Sequence, residues 1–409
     1  MHEINYRTKK CTIAKDIFRK IDKNFPELKY GRRGPMVLNN CHIGQRKLLF
    51  SEIEFITLLS KTYDLKNILI VYIGAAAGFH LPILFNMFPE LEYVLIDPNR
   101  FGFSRQGYTN SIHIINDFYT DETYLEINKI NYKNKQIAVI SDFRSEPTDE
   151  KTYLDMIKQQ KWVIQLNSVA YILKIRFPYA KDSFEYKDYQ YEINEKNVKI
   201  PKQNEGKFLY LSGRIYTQIY PPMRSSESRL IKIRKDLTSP FRLKYYDVIK
   251  YDAHLNYYNV IVRSACYRYK SSQIMKYHLL GFDDGYESAV EYYLVYKYIK
   301  SYKKDKPTNE KVIQFLYYLD NHYFRNKIIC MFEYFERIAK SLHESDYTIE
   351  ETDIDELYNR IKTSLKNQIQ YFNRGNLLKQ SEYKEQIKRA KNILEIIKEK
   401  RAKIIDYMS

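Results

Sequence analysis

The sequence predicts an α/β protein with a mostly parallel central sheet flanked by helices. Three observations indicate this fold class. Short, continuously apolar runs recur along the first half of the chain, segments with helical or loop character separate them, and the runs lack polar alternation. Such runs are typical of parallel strands buried on both faces. The predicted strands are 67–74, 93–97, 112–116, 137–142 and 162–167.

Further elements are predicted on both sides of these strands. Apolar residues at helical spacing predict a helix over 44–59. Additional strands are predicted at 207–211 and 256–263, and the pattern becomes helical from about residue 287. We therefore expect three regions, which are an irregular, basic N-terminal leader (1–43), a main domain (44–325) and a helical C-terminal extension (326–409).

Composition limits the class of protein. A chain of 409 residues is long enough for one large domain or two modest ones. No apolar run approaches the length of a membrane span, and the N-terminus lacks a signal-peptide pattern, so we expect a soluble, unsecreted protein. The cysteines lack metal or redox spacing, which favours a reducing compartment and no structural metal; they are Cys11, Cys41, Cys266 and Cys330.

The charge balance favours a polyanionic partner. Lysine and arginine total 67 against 50 acidic residues, a net charge of +17. The chain also has 41 tyrosines, whose rings offer stacking surfaces for unpaired bases. This combination is compatible with RNA binding. Solvated lysines in a basic chain are the alternative interpretation, which charge alone does not exclude.

The segment from Asn67 to Asp97 has the pattern of a nucleoside-binding site. Its first apolar run ends at Gly74 and Gly78, and its second run ends at Asp97. Glycines allow the backbone to approach a ligand, and a carboxylate suits the paired hydroxyls of a ribose. The spacing fits a dinucleotide as well as S-adenosylmethionine, but the incomplete glycine motif favours the methyl donor. A buried strand with a small-residue turn and no ligand is the alternative.

Charged residues fall where the predicted strands end. Ligands of open parallel sheets bind at the carboxyl ends of the strands. Asp142 closes one apolar run, and Lys174 follows the predicted 162–167 strand among apolar neighbours. Glu227 lies in a polar turn, and Lys47 lies one turn into the first helix. Each residue alone is weak evidence, since a lysine after a strand is usually a surface lysine.

Together, these four residues around the glycine loop resemble the Lys-Asp-Lys-Glu tetrad of RNA ribose 2′-O-methyltransferases. The resemblance is stronger still to the poxvirus-type family of cap-specific mRNA (nucleoside-2′-O-)-methyltransferases, which also serve as regulatory subunits of poly(A) polymerase. Six short blocks keep the family's order and approximate spacing, at 44–49, 71–80, 95–97, 140–145, 166–174 and 226–230. The resemblance implies a Rossmann-like, S-adenosylmethionine-dependent methyltransferase.

The resemblance also implies a role for each matched residue. Lys174 would accept the proton of a ribose 2′-hydroxyl, with Lys47, Asp142 and Glu227 completing the tetrad. Ala77 stands where the family usually has proline, and Arg100 lies one place later than its counterpart. The residues that would hold S-adenosylmethionine are Gln45, Tyr72, Gly74, Gly78, Asp97, Arg100, Phe118 and Asp142.

A cap-binding pocket is implied in the same way. Tyr179 would stack on the methylated guanine, and Asp182 and Asp252 would accept its N1 and N2 protons. A cationic base on an aromatic ring is favoured by cation–π attraction. Asp182 is displaced by one residue, because Lys181 occupies the matched place. The second stacking ring is unassigned, with Tyr30 and Phe25 as candidates.

The resemblance therefore implies methyl transfer to the first transcribed nucleotide of m7G-capped mRNA, without a metal. The expected partners are capped mRNA and a poly(A) polymerase catalytic subunit. The expected location is the cytoplasm, in the viral factory or virion of a large DNA virus. Two alternatives remain, namely a binding subunit that keeps a poly(A) polymerase on its RNA and a ribose methyltransferase that acts without a cap. The intact tetrad disfavours a purely non-catalytic protein.

Overall fold

The computed structural model describes ten ranges of the chain and four isolated helical positions between 388 and 399. The strands, numbered in chain order, are β1 (Lys20–Ile21), β2 (Ile68–Ile73), β3 (Glu92–Ile96), β4 (Ile112–Ile115), β5 (Gln136–Ser141), β6 (Ala170–Ile175), β7 (Gln190–Ile193), β8 (Lys196–Lys199), β9 (Lys207–Leu211), β10 (Arg214–Tyr216), β11 (Ser228–Ile233) and β12 (Leu243–Asp247). The described ranges are 19–21, 24–29, 44–131, 133–146, 148–177, 190–193, 196–199, 206–221, 225–262 and 286–322.

Eight of these strands form one sheet in the order β1-β10-β11-β6-β5-β2-β3-β4. The five strands from β6 to β4 are parallel, whereas β11, β10 and β1 extend the sheet in antiparallel pairing. Two antiparallel pairs, β12 with β9 and β7 with β8, form separate small sheets. The prediction of an α/β protein with a mostly parallel central sheet is confirmed.

Helices cover both faces of the sheet. They are α1 (Gly44–Leu59), α2 (Leu81–Met87), α3 (Asp121–Ile130), α4 (Asp149–Gln165), α5 (Val248–Tyr257), α6 (Tyr286–Ser301) and α7 (Asn309–His322). A short 3₁₀ helix spans Leu65–Asn67, and a π-helical turn spans Tyr258–Val262. Among the helices described here, none has the length and apolar character needed to cross a membrane.

Side chains of the central strands alternate between two hydrophobic cores. In β2, Ile68, Ile70 and Tyr72 belong to the core that includes residues of α1, α2, α6 and α7. Their neighbours Leu69 and Val71 belong to the core that includes residues of α3, α4 and α5. Because successive strand residues point to opposite faces and both faces are buried, these strands show no polar alternation.

Most predicted elements are confirmed. The predicted strands at 67–74, 93–97, 112–116 and 137–142 correspond to β2, β3, β4 and β5, each within two residues at either end. The predicted helix over 44–59 and the predicted strand at 207–211 are α1 and β9. Helices α6 and α7 confirm the helical pattern after residue 287 as far as residue 322.

The strand predicted at 162–167 is wrong. Helix α4 continues through residue 165, and the strand that follows it is β6. The helix begins at Thr148, whose side chain accepts a hydrogen bond from Lys151 N at 3.3 Å. Tyr153, Met156 and Val163 are buried at helical spacing on one face. The prediction was based on a segment of only six residues, and the apolar end of an amphipathic helix was therefore taken for a strand.

The strand predicted at 256–263 is also wrong, because α5 and the π-helical turn occupy 248–262. The predicted irregular leader contributes one short element to the fold, since β1 pairs with β10 at the edge of the sheet. The rest of the leader, except for 19 and 24–29, lies outside the described residues. So does the predicted C-terminal extension, except for its four isolated helical positions.

Candidate active site

Four charged side chains meet at the edge of the sheet where the parallel strands end. Lys47 lies on α1, Asp142 directly follows β5, and Lys174 is the fifth of the six residues of β6. Glu227 directly precedes β11. Because β11 is antiparallel to β6, it is the beginning of β11 that reaches this edge. The sequence-predicted tetrad therefore has contributions from one helix and three neighbouring strands.

The four side chains contact one another through the two carboxylates. Lys47 Nζ lies 3.0 Å from Glu227 Oε1. Lys174 Nζ lies 3.4 Å from Asp142 Oδ2 and 3.6 Å from Glu227 Oε2. Gln218 Nε2 also donates a 2.8 Å hydrogen bond to Glu227 Oε1. Glu227 thus bridges the two lysines and is held in place by a neutral donor.

Arg229 is a fifth charged residue of this cluster that the sequence analysis missed. Its Nη2 donates to Asp142 Oδ1 at 2.5 Å, and its Nη1 lies 3.6 Å from Glu227 Oε1. It stands directly opposite Lys174 in the antiparallel ladder. Like charges in that position repel, and Asp142 offsets the repulsion because each of its oxygens contacts one of the two cations. The alternation of a strand, which places residues i and i+2 on one face, was the available signal.

The cluster holds three cations and two anions in a largely buried setting. Burial alone would raise the pKa of Asp142, but Lys174, Arg229 and Lys47 hold it below its usual value. The pKa of Glu227 is held well below its usual value, because Lys47, Lys174 and Arg229 outweigh the effect of burial. Burial lowers the pKa of Lys47, although Glu227 opposes it. Both carboxylates are therefore ionised at neutral pH.

The loop between β2 and α2 passes close to the backbone that follows β5. Gly74 has φ +80°, and a Cβ there would lie 2.9 Å from Phe143 N. Gly78 has φ +65°, and a Cβ there would lie 3.0 Å from Ala75 O. Any other residue at these positions would be strained, and at Gly74 it would also push the loop away from the backbone at Asp142 and Phe143. The two glycines thus form a narrow cradle beside the charged cluster.

The carboxylate of Asp97 lies at the carboxyl end of β3, next to this loop. Its Oδ2 accepts a 3.1 Å hydrogen bond from Ala76 N, and its Oδ1 accepts two 2.9 Å bonds from Asn99. A carboxylate offers about four acceptor positions, so one position on Oδ2 is left for a ligand hydroxyl. Phe118, after β4, is 59% exposed, and Arg100 is exposed at the same edge.

Gln45 and Tyr72 belong to a buried hydrogen-bonded chain. Gln45 Oε1 lies 2.8 Å from His80 Nδ1, and His80 Nε2 lies 3.0 Å from Glu52 Oε1. The hydroxyl of Tyr72 donates to the same Glu52 oxygen at 2.7 Å. This chain ties α1 and β2 to the end of the glycine loop. The side chain of Tyr72 is fully buried, and its role in holding a ligand stays a prediction.

Asp252 is a buried carboxylate on α5. Its Oδ1 has no hydrogen-bond partner among the described residues. Burial, with a contribution from Asp149 that Arg176 opposes, raises its pKa to about 7. Tyr179, Lys181, Asp182 and Tyr30 lie outside the described residues. Phe25 is buried edge-on against His254, with 5.7 Å between ring centroids, which makes it a poor candidate for the second stacking ring.

The described ranges of the chain contain no group of three or more His, Cys, Asp or Glu residues arranged to hold a metal ion. The two carboxylates at the sheet edge are neutralised by lysines and an arginine.

A parallel sheet with a glycine loop after its first parallel strand and acids after neighbouring strands is the arrangement of a Rossmann-like protein. The particular family follows from a sequence comparison. A family model described as "Poly A polymerase regulatory subunit" matches residues 27–326, and the chain belongs to this family.

Poxvirus proteins are among the curated relatives of this chain. A fowlpox virus (strain NVSL) protein is 29% identical over 232 residues, covering 54% of this chain and 68% of the relative. A myxoma virus (strain Lausanne) protein is 29% identical over 235 residues, covering 54% of this chain and 62% of the relative. Both are named cap-specific mRNA (nucleoside-2′-O-)-methyltransferase. The matches therefore span roughly two thirds of those relatives.

A solved structure of bluetongue virus VP4, described as a multifunctional RNA-capping production line, is also similar to the chain. The identity is 13% and the TM-score is 0.34, with coverage of 58% of this chain and 38% of VP4. A score this low is too weak to support a shared fold or function.

Proposed function

We propose that this protein is an S-adenosylmethionine-dependent mRNA cap (nucleoside-2′-O-)-methyltransferase. The observation that carries the proposal is the convergence of Lys47, Asp142, Lys174 and Glu227, within 3.0–3.6 Å contacts, at the strand ends beside the glycine cradle. The names of the poxvirus relatives support the same reaction. The substrate would be the ribose 2′-hydroxyl of the first transcribed nucleotide of m7G-capped RNA.

The reaction needs a base and precise positioning. S-adenosylmethionine would supply an electrophilic methyl group. The new bond to the ribose 2′-oxygen would form in line as the methyl–sulfonium bond breaks and S-adenosylhomocysteine leaves, and Lys174 Nζ would take the hydroxyl proton. A positioned base contributes typically 10²–10⁴-fold, and alignment of the reactants contributes much of the rest. The excess of cations around the site stabilises negative charge that develops on the attacking oxygen.

The contacts of the two lysines favour Lys174 as the base. Lys47 Nζ lies 3.0 Å from Glu227 and its side chain is 8% exposed. Lys174 Nζ lies 3.4 and 3.6 Å from its two carboxylates, and its side chain is 13% exposed. Charge-assisted hydrogen bonds usually measure 2.7–2.9 Å, so Lys174 is loosely held and can turn toward a substrate hydroxyl. Lys47 instead positions Glu227.

The residues of the cradle fit S-adenosylmethionine. The close approach at Gly74 and Gly78 leaves backbone rather than side chains facing a ligand. Asp97 keeps one acceptor position for a ribose hydroxyl, and the exposed Phe118 ring offers a surface for adenine. In this proposal Gln45, Tyr72, Arg100 and Asp142 complete the donor site.

The proposed cap pocket includes Asp252, with Tyr179 and Asp182 as further predicted members. Asp252 Oδ1 is a buried acceptor without a partner among the described residues, which is what a guanine N–H donor requires. Arg176 and the carboxyl end of β6 lie next to it, and the chain from there leads to Tyr179.

The test is transfer of a tritiated methyl group from S-adenosylmethionine to short RNAs with m7GpppN, GpppN or triphosphate ends. We expect methylation of the m7G-capped RNA alone, and a loss of at least about 100-fold in Lys174→Ala. Lys129→Ala, an exposed lysine at the end of α3, is the matched control and should keep full activity. Equal transfer to all three ends would instead support a cap-independent RNA methyltransferase.

A second role as the regulatory subunit of a poly(A) polymerase is favoured by the family match over residues 27–326. We propose that both roles coexist in the chain. Co-purification with a nucleotidyltransferase subunit, and longer poly(A) products in its presence, would support this role. Lys174→Ala should keep the effect on tail length while it loses methyl transfer, because the two roles would use different surfaces. Loss of both together would contradict that separation.

A further inference from the structure

A small basic pocket lies at the opposite end of the strand pair that carries Lys174 and Arg229. Its cavity of about 150 Å³ is bounded by the end of β11 and the loop that follows it. Lys232 faces Tyr171 in the ladder, at the start of β6. A strand rises about 3.3 Å per residue, so the pocket lies roughly 10–17 Å along β11 from Arg229. It is therefore separate from the tetrad.

Positive charge in this pocket is largely unpaired. Lys232, Lys235, Arg234 and Arg242 line it, against the single carboxylate of Asp236. The structure shows no hydrogen bond or ion pair from the side chains of Lys232, Lys235 or Arg242 to any described residue. The carboxylate of Asp236 offsets one of these charges but forms no ion pair with a described residue; it accepts hydrogen bonds from Thr238 N at 3.0 Å and from the hydroxyls of Thr238 and Ser239. The pocket therefore presents a net charge of about +3.

The loop that carries these cations is held in one conformation by Arg234. The guanidinium is buried, at 7% exposed, and donates to Ser168 O at 3.1 Å and Ser239 O at 2.8 Å. It also lies over the ring of Phe241, 4.1 Å from its centroid. Because Arg234 is committed to carbonyl groups, its charge is not cancelled by a carboxylate. A preorganised loop loses little conformational entropy when a ligand binds.

We propose that this pocket binds a phosphate group of the RNA backbone, at a second RNA contact that lies apart from the methyl-transfer site. Three unpaired cations around a small cavity match the charge and size of a phosphodiester better than those of an uncharged ligand. The inference rests on the pocket alone and holds whether or not the proposed methyl transfer is correct.

The test is binding of a fluorescent, uncapped 20-nucleotide RNA to the full-length chain, followed by anisotropy as the salt concentration is raised. The variant Lys232→Ala/Lys235→Ala/Arg242→Ala should bind more weakly. Its slope of log affinity against log salt should be smaller by about 0.7, which is the contribution of one phosphate contact on a single strand. The control Lys66→Ala/Lys129→Ala/Lys300→Ala removes the same charge from exposed positions and should leave the slope nearly unchanged.

Three further outcomes complete the test. An equal loss in both triple variants would overturn the proposal, because net charge alone would then explain binding. Inhibition by inorganic phosphate or uridine monophosphate as strong as that by RNA would assign the pocket to a free phosphate compound and overturn the RNA assignment. Preferential competition by polyglutamate would overturn it in favour of an acidic protein segment.

Methyl transfer to the dinucleotide m7GpppA should be the same in both triple variants. This control separates the test of the pocket from the test of the catalytic proposal.

Discussion

At the scale of single residues, the candidate site depends on how opposite charges are shared. The sequence analysis predicted Lys47, Asp142, Lys174 and Glu227, and the structure brings all four together. It missed Arg229: strand alternation would have placed this residue on the face of Glu227, but its contact with Asp142 joins positions 87 residues apart and depends on strand register. Nor could it predict the buried state of Asp252, which arises from tertiary packing around α5.

Arg229 should matter for catalysis although it is outside the predicted tetrad. In Arg229→Ala, Asp142 loses the cation that holds its Oδ1, and the site loses one of three positive charges. We expect methyl transfer to fall at least about tenfold and the pH–rate profile to move to higher pH, because a neighbouring cation favours the neutral form of a lysine base. The measurement is the initial rate between pH 6 and 10.

Arg229→Lys keeps the charge and is the matched variant for this prediction. It should recover the position of the pH profile, although not the full rate, because lysine lacks the second donor that reaches Glu227. An unchanged pH profile in Arg229→Ala would contradict this electrostatic role, and a lowered melting temperature beside it would show that Arg229 is only a structural residue.

Asp252 should make the protein less stable as the pH rises. Its folded-state pKa is about 7, whereas the unfolded value is near 4. The folded state therefore holds a proton that the unfolded state has lost between about pH 4 and pH 7. Stability falls across this window and stays low above it. Asp252→Asn should remove that loss, a gain of up to about 4 kcal/mol in the free energy of unfolding at pH 8.

Urea unfolding of the wild type and Asp252→Asn at pH 5 and pH 8 measures this effect. The difference between the two proteins should be larger at pH 8. The control is Asp117→Asn, which changes a carboxylate at an exposed position. Asp236→Asn is unsuitable as a control, because the carboxylate of Asp236 stabilises a turn. A stability difference that is independent of pH would show that the pKa of Asp252 is the same in the folded and unfolded states, as for a well-solvated carboxyl.

At the scale of elements, most of the fold followed from local patterns, and the errors arose where a short window was ambiguous. The parallel strands were predictable because their continuous apolar character reflects burial on both faces. The end of α4 was misread because Trp-Val-Ile is equally compatible with a buried strand, and the cap at Thr148 lies too far upstream to enter such a window. The antiparallel extension β10–β11 depends on long-range pairing that no local pattern encodes.

A buried ion pair joins two of these elements. Arg46 on α1 and Glu291 on α6 are both fully buried, and Arg46 Nη2 lies 2.6 Å from Glu291 Oε2. Glu291→Ala leaves the guanidinium without its carboxylate, so we expect a loss of about 3–5 kcal/mol in the free energy of unfolding. Chemical unfolding followed by circular dichroism gives this value.

The double variant Arg46→Met/Glu291→Leu replaces the pair by apolar side chains of similar size. It should be markedly more stable than Glu291→Ala, because no isolated charge remains buried. If the single and double variants were equally destabilised, packing rather than the uncompensated charge would account for the loss.

At the scale of the whole molecule, the net charge of +17 can be read directly from the sequence. The fold distributes this charge unevenly. Part of the positive charge is neutralised in the candidate active site, and part is left unpaired in the basic pocket. Composition indicated a polyanionic partner, but it could not indicate where that partner would bind, since lysines distant in sequence converge only in the folded chain.

Binding of RNA to the whole protein should therefore depend steeply on salt. If the protein neutralises three or more phosphates, affinity for single-stranded RNA should follow a slope of about −2 or steeper in log affinity against log salt. Titration of uncapped RNA between 50 and 300 mM salt measures this slope. A flat dependence would mean that the positive surface is solvated and that RNA binding, where it occurs, depends on uncharged contacts.

The antiparallel direction of β11 has a consequence for how this site tolerates change in the chain. The ladder that sets Arg229 opposite Lys174 fixes the position of Glu227 whatever path the polypeptide takes between the two strands. A change in the length of the connection between these two strands thus need not disturb the charged groups at the strand ends, since the entropy of closing a connection grows only slowly with its length.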